Sequence, residues 1–437
     1  MHLLIVGFNA RPLALSLREL GHVLHVADFF GDSDLAGCCS THRAVVDLPE
    51  FLDRGGTMPP ARALYQCALE LLDSHADVEG AIVGSGWDDH PDLREELGRR
   101  VEVLGPSSGD ASRVRSTRFL REVAKRAGWS FPRTLSVKRA IANDWDDFPS
   151  VYKPEATGGG VGLRFLNDAD DLAAVANQCS GQALSRSRGV VQKFVPGTPC
   201  SVTGLWWEGV FVPLTINSQL VGLRQTHAPG RFHYCGNQVP LPGLNGESSG
   251  DLVELVRELG DLLPLRGVAG FDFVLSPTGR PFLIEVNPRV PGSLQCCELA
   301  TGANLMELHL SACLGFGGSP LPQRPLRCAS HATKLVYYAP VDLASGAPPP
   351  AEPNGAEVGG RTPRGRVSRV GVFDIPRPGW PLARGDPWFT TCAAGTTPLE
   401  ACNAAKALGG GFEGRVLRRV GVDFRGSGAD ERSRRSG

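Results

Sequence analysis

Two apolar segments with acids set inside them constrain this chain most: Phe271-Asp272-Phe273-Val274-Leu275, then Pro281-Phe282-Leu283-Ile284-Glu285-Val286-Asn287-Pro288-Arg289. The turn-forming run Ser276-Pro277-Thr278-Gly279 lies between them, so residues 270–287 are predicted to form a hairpin. The side-chain period of 2 puts Glu285 and Asn287 on one face of the returning strand. Pairing through this turn is expected to set Asp272 diagonal to them on the neighbouring strand. Two carboxylates about 4 Å apart repel by roughly 4 kcal/mol at an effective dielectric of 20. Such a pair needs a cation or a raised pKa. Three hard oxygen ligands, with positions left for water and phosphate, suit Mg²⁺ (or Mn²⁺) better than zinc. The alternative is a solvent-facing hairpin, which the flanking hydrophobes oppose.

The first 107 residues alternate between strand and helix patterns. Residues 3–6 form a compact apolar strand ending at Gly7, and Leu13, Leu17 and Leu20 then share one helix face before Gly21. A second strand over 23–27 ends at Asp28. A helix over 62–72 leads to a strand at 81–83, and a helix over 93–99 leads to one at 101–104. This order implies a parallel, Rossmann-like sheet. Asp28 stands 21 residues after Gly7, where a dinucleotide's ribose would meet an acid, but the turn reads GFNARP and lacks G-x-G-x-x-G. An NAD-dependent enzyme is therefore a weak alternative. Asn9 and Arg11, on the loop after the first strand, are candidates for contact with some other ligand.

An amphipathic basic helix is predicted over 113–127, strands and loops to about residue 245, and a helix over 251–262. A further single helix is expected over 294–314. Residues 343–366, rich in Pro, Gly, Ala and Arg, read as a loose linker. An α+β segment follows to about 422, and 425–437 has the composition of a disordered tail. The formal net charge of −1 lacks the basic excess of a general nucleic-acid binder. No run of about 18 apolar residues calls for a membrane span. The 12 cysteines include no C-x-x-C, and the opening residues read as a strand rather than a signal peptide, so reduced thiols in the cytoplasm are expected.

Only 6 of the 45 basic residues are lysines, which gives weight to a lysine inside a motif. Lys153 ends an apolar strand and faces a loop containing Gly158, Gly159, Gly160 and Gly162. Glycines let successive N–H groups turn toward an anion, and the lysine adds a point charge. The loop is not a Walker A sequence, which would end in GK[ST] and open a helix. A second strand runs through Gln192, Lys193, Phe194 and Val195 to a Pro-Gly turn, and its end offers an apolar slot with backbone edges suited to adenine. A loop over 217–240 carries Arg224, His227, Arg231, His233 and Tyr234 between glycines. Arg224, Arg231 and His233 are candidates for substrate contact, the arginines being suited to a carboxylate or phosphate.

Taken in order, these motifs resemble the ATP-grasp superfamily. The 13 residues from Asp272 to Glu285, the two more to Asn287, and the run EVNPR are similar to its metal-binding pattern and E-x-N-x-R signature. The resemblance implies a Rossmann-like pre-ATP-grasp domain at 1–110 and a two-subdomain ATP-grasp fold at 111–320, its lid at about 145–195. A small C-terminal α+β segment would occupy 321–424. It implies that Asp272, Glu285 and Asn287 hold Mg²⁺ on ATP, that Arg289 stabilises an acyl-phosphate, and that Lys153 and the glycine loop contact phosphates. Residues 192–195 would line the adenine hinge. The family's additional phosphate-binding lysine is missing, since the chain reads Arg115-Ser116-Thr117-Arg118. Arg115 and Arg118 are the expected replacements. Gln192 stands where the hinge normally has Glu, and an acid expected near Pro199 is absent. GFNARPLALSLRELGH, ATKLVYYAP and DIPRPGWPLARGDP further resemble a predicted ATP-dependent carboligase group associated with methanopterin-type cofactors, related to tyramine–glutamate ligase of methanofuran synthesis.

The implied activity is a Mg-dependent carboxylate–amine (or thiol) ligase acting through an acyl-phosphate on small molecules, with neither nucleic acid nor membrane as partner and with a homodimer within its range. An ATP-binding regulatory protein without turnover is the alternative that the missing lysine and hinge acid support.

Overall fold

The computed structural model describes residues 1–52, 58–155, 157–181, 189–243, 247–315, 321–344 and 369–419. Most of the expected linker at 343–366 and all of the expected tail lie outside them.

The amino-terminal unit runs β1 (His2–Gly7), α1 (Arg11–Glu19), β2 (Val23–Asp28), β3 (Thr41–Ala44), α2 (Pro49–Leu52), α3 (Pro60–Ser74), β4 (Gly80–Val83) and α4 (Pro91–Gly98). Its sheet has the order β3-β2-β1-β4 and every pair is parallel. Alternation along β1 sends Leu3 and Ile5 to the α1 face, and Leu4 and Val6 to the face covered by α3 and α4. The strand expected at 101–104 is reduced to one bridge, Ala81 to Val103.

The basic helix expected over 113–127 is two helices, α5 (Ser108–Arg115) and α6 (Thr117–Arg126). Ser116 is extended and its hydroxyl accepts from the N–H of Phe119, so one residue ends the first helix and caps the second. A small sheet of order β5-β8-β6-β7 follows, made of β5 (Thr134–Ser136), β6 (Ser150–Pro154), β7 (Arg164–Leu166) and β8 (Gly189–Lys193). Helices α7 (Val137–Ala142) and α8 (Ala169–Gly181) lie within the stretch read as strand and loop. Val137, Ala140, Leu172 and Val175 pack with Tyr152 and Val191 of the sheet, a short, broken apolar pattern that a long window does not register.

The large sheet has the order β13-β12-β9-β10-β11-β14-β16-β15. Its strands are β9 (Thr198–Trp207), β10 (Val210–Val221), β11 (Tyr234–Val239), β12 (Gly267–Leu275), β13 (Pro281–Asn287), β14 (His331–Tyr338), β15 (Gly371–Phe373) and β16 (Pro387–Gly395). The C-terminal stretch thus extends the sheet that carries the acidic hairpin. Helices α6 and α9 (Glu247–Gly260) cover one face, and α10 (Leu294–Thr301) and α11 (Leu305–Leu314) cover the other. The single helix expected over 294–314 breaks where Gly302 takes φ +72° and Asn304 caps α11. Helix α12 (Pro398–Arg419) packs on β14 and β16.

Candidate active site

The acidic hairpin faces as it does because of its hydrophobes. Phe271 and Phe273 are 0% and 1% exposed and meet Trp129 edge-on, at 5.9 and 5.2 Å between centroids. Each such burial contributes about 2–3 kcal/mol, which fixes β12 with Asp272 on the other side. On β13, Leu283 and Val286 both enter the same core, although a regular strand would place residues three apart on opposite faces. A bulge resolves this: Asp272 pairs with Glu285, Phe273 pairs with Leu283, and Ile284 is left over. Glu285 and Asn287 therefore share Asp272's face, and Asp272 lies directly opposite Glu285 rather than diagonal to it. The turn alone implied a plain register; the extra residue is what the core required.

The electrostatics are those of crowded acids. Burial first, then the Glu285 charge, push the Asp272 carboxyl up to about 8. Asn287 Nδ2 donates to Asp272 Oδ2 at 3.2 Å, and the Gln219 side chain adds another hydrogen bond. Burial also works against the Glu285 charge, but Arg115 and then Lys153 outweigh it and hold that carboxyl below its usual range. The Lys153 ammonium is lowered by burial, with Glu285, Arg115 and Asp272 all within electrostatic reach. The small sheet thus brings Lys153 to the hairpin.

Two arginines complete this ring, and an acidic pair that the sequence reading passed over anchors both. Arg115 is clamped by Asp89 through Nε and Nη2, at 2.9 and 3.1 Å; it donates to the Val286 carbonyl at 3.3 Å and lies 3.8 Å from Glu285. Arg289 Nε lies 3.0 and 2.9 Å from the two oxygens of Asp88, and Nη1 donates to the Val290 carbonyl. Asp88 and Asp89 sit on the loop after β4. That is the carboxyl edge of a parallel sheet, where α/β folds place ligand-contacting groups, so the adjacent acids were a readable signal.

Other expected residues lie elsewhere. Arg118 is 90% exposed and pairs with Glu122 one turn on; α6 buries Leu120, Val123 and Ala124 instead. It does not reach the ring. Arg11 is 1% exposed, bonded to Asp374 at 2.6 Å and to Gln295 at 2.9 Å, with Asp34 at 3.3 Å. It ties the amino-terminal unit to the C-terminal strands and is not open to substrate. The Asn9 amide oxygen is buried without a hydrogen-bond partner. Asp28 accepts from the N–H groups of Ala10, Phe30 and Gly31, so loop closure occupies the acid that an NAD reading would assign to a ribose.

The glycine loop adopts the left-handed backbone expected of it at Gly159, Gly160 and Gly162, while Gly158 has open space around its Cα. It rests on the 230–234 segment: the Gly159 carbonyl accepts from Tyr234 at 2.9 Å, and a Cβ on Gly160 would stand 1.9 Å from the Phe232 carbonyl oxygen. Arg231 stacks over Phe165 at 3.9 Å, with Phe194 and Phe232 at 5.5 and 5.4 Å. Arg224 is exposed, and His233 meets Tyr338 edge-on at 5.8 Å. Along the hinge strand, Gln192 points inward to Thr134 Oγ1 at 3.0 Å. Lys193 is held by the Phe148 carbonyl and Asp147, and Val195 is half-buried.

Residues 115–293 match the family described as the ATP-grasp domain. The chain is 22% identical over 312 residues to an uncharacterized protein of Methanocaldococcus jannaschii, covering 70% of this chain and 73% of that one. It is 28% identical over 163 residues to a D-alanine–D-alanine ligase of an Anaeromyxobacter species, covering 36% of this chain and 50% of the ligase. Among solved structures, the biotin carboxylase domain of 2-oxoglutarate carboxylase from Hydrogenobacter thermophilus, bound to MgADP, ADP and bicarbonate, superposes with a TM-score of 0.66. That match covers 93% of this chain and 89% of the other at 14% identity, a likeness of fold. Among the described residues no helix is long and apolar enough to cross a membrane, and the eleven described cysteines are all free.

Proposed function

We propose, for a chain that carries an ATP-grasp domain across residues 115–293, that it is an ATP-dependent ligase joining a small-molecule carboxylate to an amine, with release of ADP and phosphate. The observation that carries this reading is the face-to-face pair Asp272 and Glu285, with Asn287 bonded to the first and Arg115, Arg289 and Lys153 around them. Two carboxylates and an amide oxygen form a hard donor set, and their mutual crowding is relieved by a divalent cation. They fit Mg²⁺. Asp272, Glu285 and Asn287 would hold it. When bound, Mg²⁺ would neutralise charge on the ATP phosphates.

The substrate carboxylate oxygen attacks the γ-phosphorus of ATP, the bond to the β-phosphate oxygen breaks, and ADP leaves. Lys153 and Arg115 place positive charge where the phosphates lie, and Asp89 keeps the Arg115 fork from swinging away. The amine nitrogen then attacks the acyl carbon, the carbon–oxygen bond to phosphate breaks, and the amine's proton passes to solvent. Arg289, held by Asp88, is positioned to stabilise the oxyanion that forms at that step. The glycine loop offers N–H groups to the phosphates once it lifts from the 230–234 segment. The resemblance of GFNARPLALSLRELGH, ATKLVYYAP and DIPRPGWPLARGDP to the methanopterin-associated carboligase group supports a role in methanopterin- or methanofuran-type cofactor assembly.

The test is ADP release by purified protein supplied with Mg-ATP and panels of acids and amines, followed by mass spectrometry of the products. Release that requires both an acid and an amine, and that Glu285→Ala abolishes, is expected. ATP binding with no acid- and amine-dependent release from any panel or cell extract would favour a regulatory ATP-binding protein.

A further inference from the structure

A second cluster of ligating side chains lies at the opposite edge of the amino-terminal sheet from Asp88 and Asp89, at the strands' amino ends. The five-residue rise of β1 separates the two edges by roughly 17 Å. His2 opens β1, and His25 on β2 sits beside Leu4 in the parallel register, so both rings project from the α3 face. Helix α3 ends at Ser74 with His75 as its cap, and Asp77 follows before β4. A ring nitrogen of His2, one of His25 and a carboxylate oxygen of Asp77 all lie within 4.8 Å of one another.

Three observations point to a ligand. His25 is 3% exposed; its Nδ1 is engaged by Thr41 Oγ1 at 2.7 Å, and its Nε2 is buried with no hydrogen-bond partner. Fixing one ring nitrogen by a hydrogen bond and leaving the other bare is how protein structures orient a metal-bound histidine. His2 Nδ1 is also buried and lacks a hydrogen-bond partner although Asp77 Oδ2 is 2.7 Å away, so the two groups approach each other off the line of a hydrogen bond. Finally, the carboxyl end of α3 carries a partial negative charge that favours a cation, and its last turn contains no basic residue.

We propose that His2, His25 and Asp77 bind a first-row divalent metal of zinc's class, with water in the remaining position. Two imidazole nitrogens and one carboxylate oxygen are a donor set zinc accepts in tetrahedral geometry, with ligands about 3.4 Å apart when each is about 2.1 Å from the ion. Small side-chain rotations from the present spacing reach that. His75, stacked on His25 at 3.9 Å and with Nε2 3.4 Å from Thr41 Oγ1, walls one side. The ion would clip the start of β1 to β2 and to the α3–β4 connection. It lies outside the ligase chemistry, and its test does not depend on that chemistry.

The experiment is isothermal titration of untagged, chelator-stripped full-length protein with zinc chloride, repeated with cobalt chloride to read the visible absorption of a four-coordinate site. Wild type and Asp272→Asn are each expected to bind one equivalent at this site. His2→Gln and Asp77→Asn, both changes near the surface, should weaken that binding at least about 10-fold while circular dichroism reports an unchanged fold. Absence of zinc binding by wild type would overturn the proposal. So would binding that survives undiminished in both His2→Gln and Asp77→Asn, or that disappears only in Asp272→Asn.

Discussion

Arg289 and Asp88 stand 201 positions apart in the chain and are joined at 2.9 Å, with the carboxylate of one unit gripping the arginine of the other. In its neighbour the same device recurs, with Asp89 gripping Arg115. The amino-terminal unit therefore contributes to the site by aiming two arginines.

Asp88→Asn tests that aim. The variant keeps its shape but loses the charge that fixes Arg289. We expect kcat to fall about 10- to 100-fold with the KM for ATP nearly unchanged, because a misplaced group about 1 Å off costs on that scale. Steady-state kinetics with both constants resolved is the check, and a KM effect alone would count against it.

Asp272→Asn should separate stability from activity. Without Mg²⁺, removing one of two facing carboxylates relieves repulsion, and the variant should be more stable by on the order of 1–3 kcal/mol at pH 8. That is less than the roughly 4 kcal/mol of two charges 4 Å apart, because the Glu285 side chain, though desolvated on its Asp272 side, is 41% exposed and water screens the pair. With excess Mg²⁺ the order should reverse, since only the wild type gains from the ion. Activity should be lost in both cases. Urea unfolding with chelator and with Mg²⁺ reads the crossing.

Arg11 is predicted to matter for folding and not for substrate. It faces Asp374, whose carboxyl burial would push up but which Arg11 and Lys334 hold down at about 2. Arg11→Ala leaves that acid buried without its main partner and should cost about 3–5 kcal/mol. Urea midpoints check this. A stable variant with a raised substrate KM would show instead that Arg11 contacts the ligand.

The pH dependence of stability should carry the signature of His309. Burial above all depresses it to about 4, and it stays neutral with Nδ1 accepting from the Val268 N–H and Nε2 facing the Leu104 carbonyl. The unfolded chain takes up this proton near pH 6.5 and the folded chain only near 4. Stability from this group is therefore whole above about pH 6.5 and is lost as pH falls toward 4, by about 3 kcal/mol at most. His309→Gln should flatten the fall measured between pH 7 and pH 4.5. Asp28, raised to about 6 chiefly by burial, works in the opposite direction and is common to both proteins.

What sequence could disclose followed the range of the interaction. The hairpin acids were legible because turn, spacing and hydrophobic flanks all lie within 20 residues. The parallel sheet was legible because each of its strands and helices carries its own local pattern, and their alternation implies the parallel pairing. Ile284's bulge was not, since it exists to bring Leu283 and Val286 into a core built by α6 and α9. Ser116 sits in a basic, amphipathic run that reads as helix throughout, and only packing shows that it divides Arg115 from Arg118. Arg11 occupies the edge of the sheet where ligands bind, and nothing local says that residues more than 350 positions later cover it.

The eight-stranded sheet has a consequence for where the polypeptide can be cut. β14 hydrogen-bonds to β11 through Gly236 to Val239, so a fragment stopped before residue 331 would leave that row of N–H and C=O groups without a neighbour. Such an edge invites another chain to add itself. Dissecting this protein at the end of its ATP-grasp match is then less a trimming than a wound, and fragments made that way should report on aggregation before they report on chemistry.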